Sequence, residues 1–173
     1  MIRPATPEDV IALADLKLAT FRETFVTGGF AIPYPHADLA AFEAKVYAPE
    51  AIAAELADPA CMTWVIEEDG RLLGYAKAGP CKLPHEAVRP EHGELYQLYV
   101  HSSAQGRRLG EALMQVAMDH FAETRPGLPV WLGVWSGNHK AQRFYARHGF
   151  AKAGDYLFPV GAWTDEEYIF RRG

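Results

Sequence analysis

Residues 94–118 read ELYQLYVHSSAQGRRLGEALMQVAM, which is an apolar strand pattern, a short polar turn bracketed by Gly106 and Gly110, and a helix with one apolar stripe. A strand that passes this quickly into a helix predicts a βα unit. The start of a helix leaves its first N–H groups without partners in the chain and carries partial positive charge. A turn of small residues at that point lets an anion approach those donors, so the amides of residues 106–111 are expected to hold a phosphorylated cofactor.

The strand half of the unit has an equally distinctive pattern. Tyr96, Leu98 and Val100 alternate with Leu95, Gln97 and Tyr99, so both faces are largely apolar, as in a central strand covered on each side. Leu109, Leu113, Val116, Ala117, His120 and Phe121 mark the buried side of the helix that follows, which Pro126, Gly127 and Pro129 stop. Val130 to Trp135 gives a second central strand. The next helix starts after Asn138, carries Ala141, Phe144, Tyr145 and His148 on one side, and is capped by Gly149.

Upstream, Ile2 and Arg3 suggest a short strand, and Thr6, Pro7, Glu8 and Asp9 open a helix that Val10, Leu13, Ala14, Phe21 and Phe25 continue with helical spacing. Gly28, Gly29, Pro33 and Pro35 make residues 27–37 irregular, and two shorter helices follow, from Asp38 to Tyr47 and from Pro49 to Asp58. Residues 62–68 and 71–78 form a hairpin about Asp69 and Gly70, residues 80–93 a loop, and residues 151–158 and 167–170 a closing hairpin about Gly161. The element order predicts a mixed α/β fold, a single domain over residues 1–173 with helices on both faces of one central sheet of about seven strands.

Composition removes several classes. A net charge of −5 offers no basic face for nucleic acid, and no run of about 18 apolar residues is available to span a membrane. The seven histidines show neither HExxH nor paired Cys/His spacing, so no metal is expected. Cys61 and Cys81 are read as reduced thiols, and with no basic leader before an apolar block the protein is expected in the cytoplasm. Monomer and homodimer are both left open.

The segment QGRRLGEAL, followed by WLGVWSGNHKAQRFYARHGF, resembles the GCN5-related N-acetyltransferase (GNAT) family, whose cofactor is acetyl-coenzyme A. The family's pyrophosphate signature is Gln or Arg, two residues, Gly, one residue, then Gly or Ala; Gln105 and Gly110 fit it, whereas Arg108 stands at the usual middle glycine. A negative φ at Arg108 would accommodate that departure, and its guanidinium could then reach a phosphate; a positive φ would strain the site. For Arg107 and Arg108 the alternative is two solvated charges at a helix start. More narrowly, LGVWSGNHKAQRFY, the tail AKAGDYLFPVG and the opening IRPATPEDV are similar to bacterial spermidine/spermine-type acetyltransferases.

The resemblance implies that the strand at Leu98, Tyr99 and Val100 splays from its neighbour at Trp135, with freed backbone groups binding pantetheine and the thioester carbonyl. It implies a cofactor site of Gln105, Gly106, Arg107, Arg108, Leu109, Gly110 and Glu111, with Asn138 touching the pantetheine arm or only capping its helix. It matches Tyr145 to the tyrosine that protonates the leaving thiolate, the alternative being a core aromatic. An alkyl amine must also lose a proton, at a cost of roughly 4 kcal/mol at neutral pH, and Glu94 at the head of the central strand is in place to accept it unless it is a surface acid. The expected activity is acetyl transfer to a small amine, with a polyamine first in rank; protein N-termini, amino-acid-like amines and a non-catalytic acyl-CoA sensor are the alternatives. Phe21, Glu23, Phe25, Tyr34, His36 and Asp38 are candidates to line a pocket for a cationic acceptor, the alternative for most of them being core or loop residues.

Overall fold

The computed structural model describes all residues, Met1–Gly173. Strands β1 (Ile2–Pro4), β2 (Met62–Glu68), β3 (Arg71–Pro80), β4 (Gly93–Val100), β5 (Val130–Trp135), β6 (Ala151–Val160) and β7 (Trp163–Arg172) form one sheet of order β1-β2-β3-β4-β5-β7-β6. Every neighbour pair is antiparallel except β4 and β5. The helices are α1 (Val10–Phe21), α2 (His36–Val46), α3 (Pro49–Ala57), α4 (Leu109–Thr124) and α5 (His139–Arg147). This is the mixed sheet with helices on both faces that the element order predicts, and β6 and β7 extend further than the sequence pattern indicates. No helix is long and apolar enough to cross a membrane.

Two apolar layers hold the sheet. One contains Ala76, Leu95, Leu113, Met114, Ala117, Phe121, Leu132 and Phe170, where α4 packs on the central strands; the other joins Leu13, Leu16 and Ile52 of α1 and α3 to Val65 and Tyr75. At the entrance to α1, the buried Asp9 carboxylate accepts the Thr6 N–H at 2.8 Å and both Arg3 terminal nitrogens at 2.7 and 2.8 Å. The Arg3 hydrogen bonds hold the Asp9 carboxyl at about 2, below its ordinary 3.8. The folded-state value is depressed, so this stabilisation is present above pH 4 and is lost as pH falls from about 4 through about 2. Asp9→Asn is therefore expected to remove about 2 kcal/mol at pH 7 and much less at pH 2. Urea unfolding at both pH values checks this, and equal midpoints for the two proteins at pH 7 would refute it.

α1 does not run evenly to Phe25. It widens into a π-helical turn at Arg22–Val26, where the Thr27 N–H reaches the Arg22 carbonyl at 2.8 Å. The Thr20 and Thr24 hydroxyls donate to the carbonyls four residues back, at 2.9 and 2.7 Å, which competes with the regular helical ladder. The chain then folds back on itself. A Cβ on Gly28 would lie 2.5 Å from the Glu23 carbonyl oxygen, and one on Gly29 2.7 Å from that of Thr24, so this wrap requires glycine.

The parting of β4 from β5 is what positions the site. Their register holds only at Gly93↔Val130 and Glu94↔Trp131. Beyond that point β4 stays on β3 as far as Gly74↔Val100, and β5 stays on β7 as far as Trp135↔Glu167. A register shift in β3–β4, where Lys77 faces Gln97 but Ala78 faces Leu95, leaves Tyr96 as an extra residue. Such a bulge bends and twists its strand, which turns the end of β4 away from β5.

Candidate active site

A cavity of about 1230 Å³ opens where the strands part, with Leu98, Tyr99 and Val100 on one wall and Gly133, Val134 and Trp135 on the other. It reaches the start of α4, where six successive main-chain amides, Gly106 through Glu111, have no acceptor within the chain. The first bond of that helix is from the Ala112 N–H to the Arg108 carbonyl, at 3.2 Å. Free helix-start donors beside an open cavity are a ready anion site, so the residues present are chemically suited to a diphosphate.

Of the two conformations open to Arg108, the structure has the strained one. Its φ is 59° and its ψ 19°, in the left-handed region, so the negative φ that would spare an arginine from strain is absent. Such a conformation costs a non-glycine residue roughly 1 kcal/mol, and here it lets the turn aim its amides and α4 at the cavity. The Arg108 side chain lines the cavity, while that of Arg107 does not and instead makes a two-pronged pair with Glu68 at 2.6 and 2.9 Å. Gln105 donates to the Val100 carbonyl at 3.2 Å and accepts from Lys140 at 3.4 Å, tying the turn to β4 and α5. Glu111, in the first turn of α4, lies 3.7 Å from Arg147 of α5.

α5 completes this end. Asn138 caps it by accepting the Ala141 N–H at 3.0 Å and also lines the cavity. Tyr145, half-buried between Phe144 and Phe150, lines the cavity too. Burial, with the charge of Glu167 second, lifts its phenol to about 12. The hydroxyl therefore keeps its proton at any physiological pH and is available to donate a hydrogen bond.

Glu94 is not a surface acid. It is buried, lines the cavity and accepts the Lys82 N–H at 2.7 Å, and burial raises its pKa. Of the expected acceptor-pocket residues, Phe21, Glu23, Phe25 and Tyr34 line the cavity, whereas His36 and Asp38 do not. Asp38 instead accepts the Ala162 N–H at 2.8 Å, holding the β6–β7 turn, and Glu23 accepts from the Ser102 N–H and hydroxyl at 3.1 and 2.7 Å.

Sequence reading missed the acids of β7. Asp165 and Glu167 line the cavity, and Asp165 is buried, accepting from the Tyr34 hydroxyl at 2.5 Å and the Trp163 indole at 2.9 Å. Glu167 accepts the Tyr156 hydroxyl at 2.6 Å. The signal was present in WTDEEYIF: strand alternation puts Asp165 and Glu167 on the same face as the fully buried Ile169, and acids on an inward face call for a polar cavity.

Charge on the wall is uneven. Arg108, Lys140, Arg143 and Arg147, from the start of α4 and from α5, lie with Glu111, and Glu23, Glu55, Glu94, Asp165 and Glu167 line the remainder with Lys77. Free amides at a helix start beside a cavity of this size suit a ligand that carries phosphates. Residues 21–150 match the acetyltransferase (GNAT) family model, and the chain belongs to that family as an acetyl-CoA-dependent N-acetyltransferase. It is 28% identical over 155 residues to an uncharacterized N-acetyltransferase of the pepI 3' region of Lactobacillus delbrueckii subsp. lactis, covering 90% of this chain and 88% of that one. It is 34% identical over 119 residues to an uncharacterized N-acetyltransferase of Mycobacterium bovis, covering 68% and 70%. The fold is shared with PaiA N-acetyltransferase from Thermoplasma acidophilum, solved in complex with coenzyme A, at a TM-score of 0.76 and 17% identity over 99% of this chain and 97% of that one.

Proposed function

We propose that the protein acetylates a primary amine of a small cationic molecule, with a polyamine of the spermidine/spermine type as the favoured acceptor. The observation that carries this reading is the uneven charge of the wall, with four cations and Glu111 around the helix start and α5, and five carboxylates against the single Lys77, among Tyr34, Tyr96 and Phe158, elsewhere in the same cavity. Carboxylates and aromatic faces both attract an ammonium group.

In this reading the amides of Gly106 through Glu111 hold the diphosphate of acetyl-CoA, with Arg108 adding a mobile charge, and the side chains of Gln105 and Asn138 flank the arm that follows. The unpaired edge at Leu98, Tyr99 and Val100 orients the thioester end, and the bound cofactor supplies an acyl carbon open to a neutral amine. The wall offers two carboxylates for the amine's proton, Glu94 and Glu167, and Tyr145 donates a hydrogen bond toward the sulfur. The Arg107 side chain, engaged by Glu68, contributes its amide alone. The two free thiols, Cys61 and Cys81, accord with a cytoplasmic enzyme.

Thiol release measured with spermidine, spermine, neutral amino acids and N-terminal peptides tests the acceptor class. Turnover is expected to be highest with the polyamines and to fall as salt rises, because charge recognition is screened. Coenzyme A binding without polyamine turnover would remove the polyamine assignment, and turnover confined to peptides would replace it.

A further inference from the structure

We infer that Glu167, rather than Glu94, receives the proton that the acceptor amine gives up. This inference rests on the N-acetyltransferase reading above and assigns one role within it.

The two carboxylates differ in what already occupies them. Glu94 accepts the Lys82 N–H at 2.7 Å and so ties the loop of residues 80–93 to the head of β4. A carboxylate bonded to a backbone donor is a structural tie. Glu167 also has one bond, but from a side chain, the Tyr156 hydroxyl to Oε2 at 2.6 Å, which leaves Oε1 free of protein donors on a residue that lines the cavity.

The fold also makes room for this pair. A Cβ on Gly133 would lie 2.6 Å from the Tyr156 hydroxyl oxygen and 2.8 Å from Glu167 Oε2, so the missing side chain on β5 is what admits both groups beside the parted strands. Glu167 faces Trp135 in the β5–β7 register, at the edge freed by the splay. It thus lies across the gap from Leu98, Tyr99 and Val100.

The surrounding charges tune it. Burial raises the Glu167 carboxyl most, the Tyr156 hydrogen bond lowers it, and the charges of Asp165 on its own strand and Glu94 on β4 raise it, to about 7. Tyr99 of β4, Tyr145 of α5 and Tyr34, which is bonded to Asp165, also face this group, and all three phenols are raised, hence neutral. A base near neutrality suits proton removal at working pH. As the amine lone pair forms the C–N bond, the nitrogen's proton passes to Glu167 Oε1. The C–S bond breaks with its electron pair on sulfur, and the sulfur takes its proton from solvent on the Tyr145 side.

The test follows the pH dependence of kcat/KM for wild type, Glu167→Gln, Tyr156→Phe and Glu94→Gln with a polyamine acceptor. Wild type is expected to lose activity as pH falls through about 7. Glu167→Gln should lower kcat/KM by about 10²-fold or more and abolish that limb, with coenzyme A affinity unchanged. Tyr156→Phe removes a bond that favours the charged form and should move the limb to higher pH; Glu94→Gln removes a repelling charge and should move it lower. Glu167→Gln with wild-type rate and profile, or loss of the limb in Glu94→Gln alone, would overturn the inference while leaving the enzyme assignment intact. A wild-type protein that binds coenzyme A and acetylates no amine would instead remove both. Should Glu167→Gln fail to fold, ¹³C NMR of labelled glutamate in the wild type decides, because the inference requires a carboxylate titrating near neutrality that Tyr156→Phe shifts upward.

Discussion

Replacing Tyr145 by phenylalanine is expected to lower turnover by about 10²-fold while coenzyme A affinity stays within about twofold. The phenol lines the cavity from α5, and burial together with the Glu167 charge holds it at about 12. A thiol ionises near 8.5, so a phenol raised this far holds its proton more tightly than the thiol would. In the proposed mechanism it gives a hydrogen bond to charge developing on sulfur, where the resemblance implies full proton donation. The substitution keeps the ring and hence its packing on Phe144 and Phe150. Steady-state kinetics with calorimetric titration of coenzyme A separates the two effects; unchanged turnover would remove Tyr145 from the chemistry, and lost affinity would make it a binding residue.

Lys17→Met is expected to cost about 3 kcal/mol of folding stability, lowering Tm by roughly 6–12 °C for a chain of this size. Lys17 is 1% exposed and donates to Glu55 at 2.6 Å and to Gln97 at 2.8 Å, with its ammonium 5.0 Å from the centre of the Tyr75 ring. Burial presses its pKa down to about 8, against the pull of Glu55. Removing the cation leaves Glu55 with Lys77 alone, at 3.0 Å, and takes from the Gln97 side-chain carbonyl its donor. The pair is costly to break but not intrinsically stabilising, so Lys17→Met combined with Glu55→Met should recover most of the loss. Glu55, Lys77 and Gln97 also line the cavity, so the network is part of its wall. Thermal melts of the single and double variants check the prediction, and an unchanged Tm for Lys17→Met would refute it.

Local chemistry made much of the molecule legible. The Thr6–Asp9 start of the first helix, the Asp69–Gly70 turn, the Asn138 cap and the Gly149 stop each depend on residues within a few positions of one another. The turn from β4 into α4 belongs to the same class, so the cradle of free amides at residues 106–111 could be expected before any fold was known. The π-helical turn at Arg22–Val26 was hidden, because Phe21 and Phe25 keep helical spacing whether or not the helix widens between them.

The sequence by itself determined the order of the elements, the βα turn and the place of Tyr145 on the last helix, since periodicity, capping and backbone freedom act over short stretches of chain. Only the tertiary structure decided that Arg108 takes a left-handed conformation, that Glu94 is buried and already bonded, and that Glu167 shares its cavity from a strand over seventy residues away. The physical reason is that a carboxylate's basicity is set by the dielectric and the charges around it, and these are assembled by the Tyr96 bulge, the parting of β4 from β5 and the gap left by Gly133.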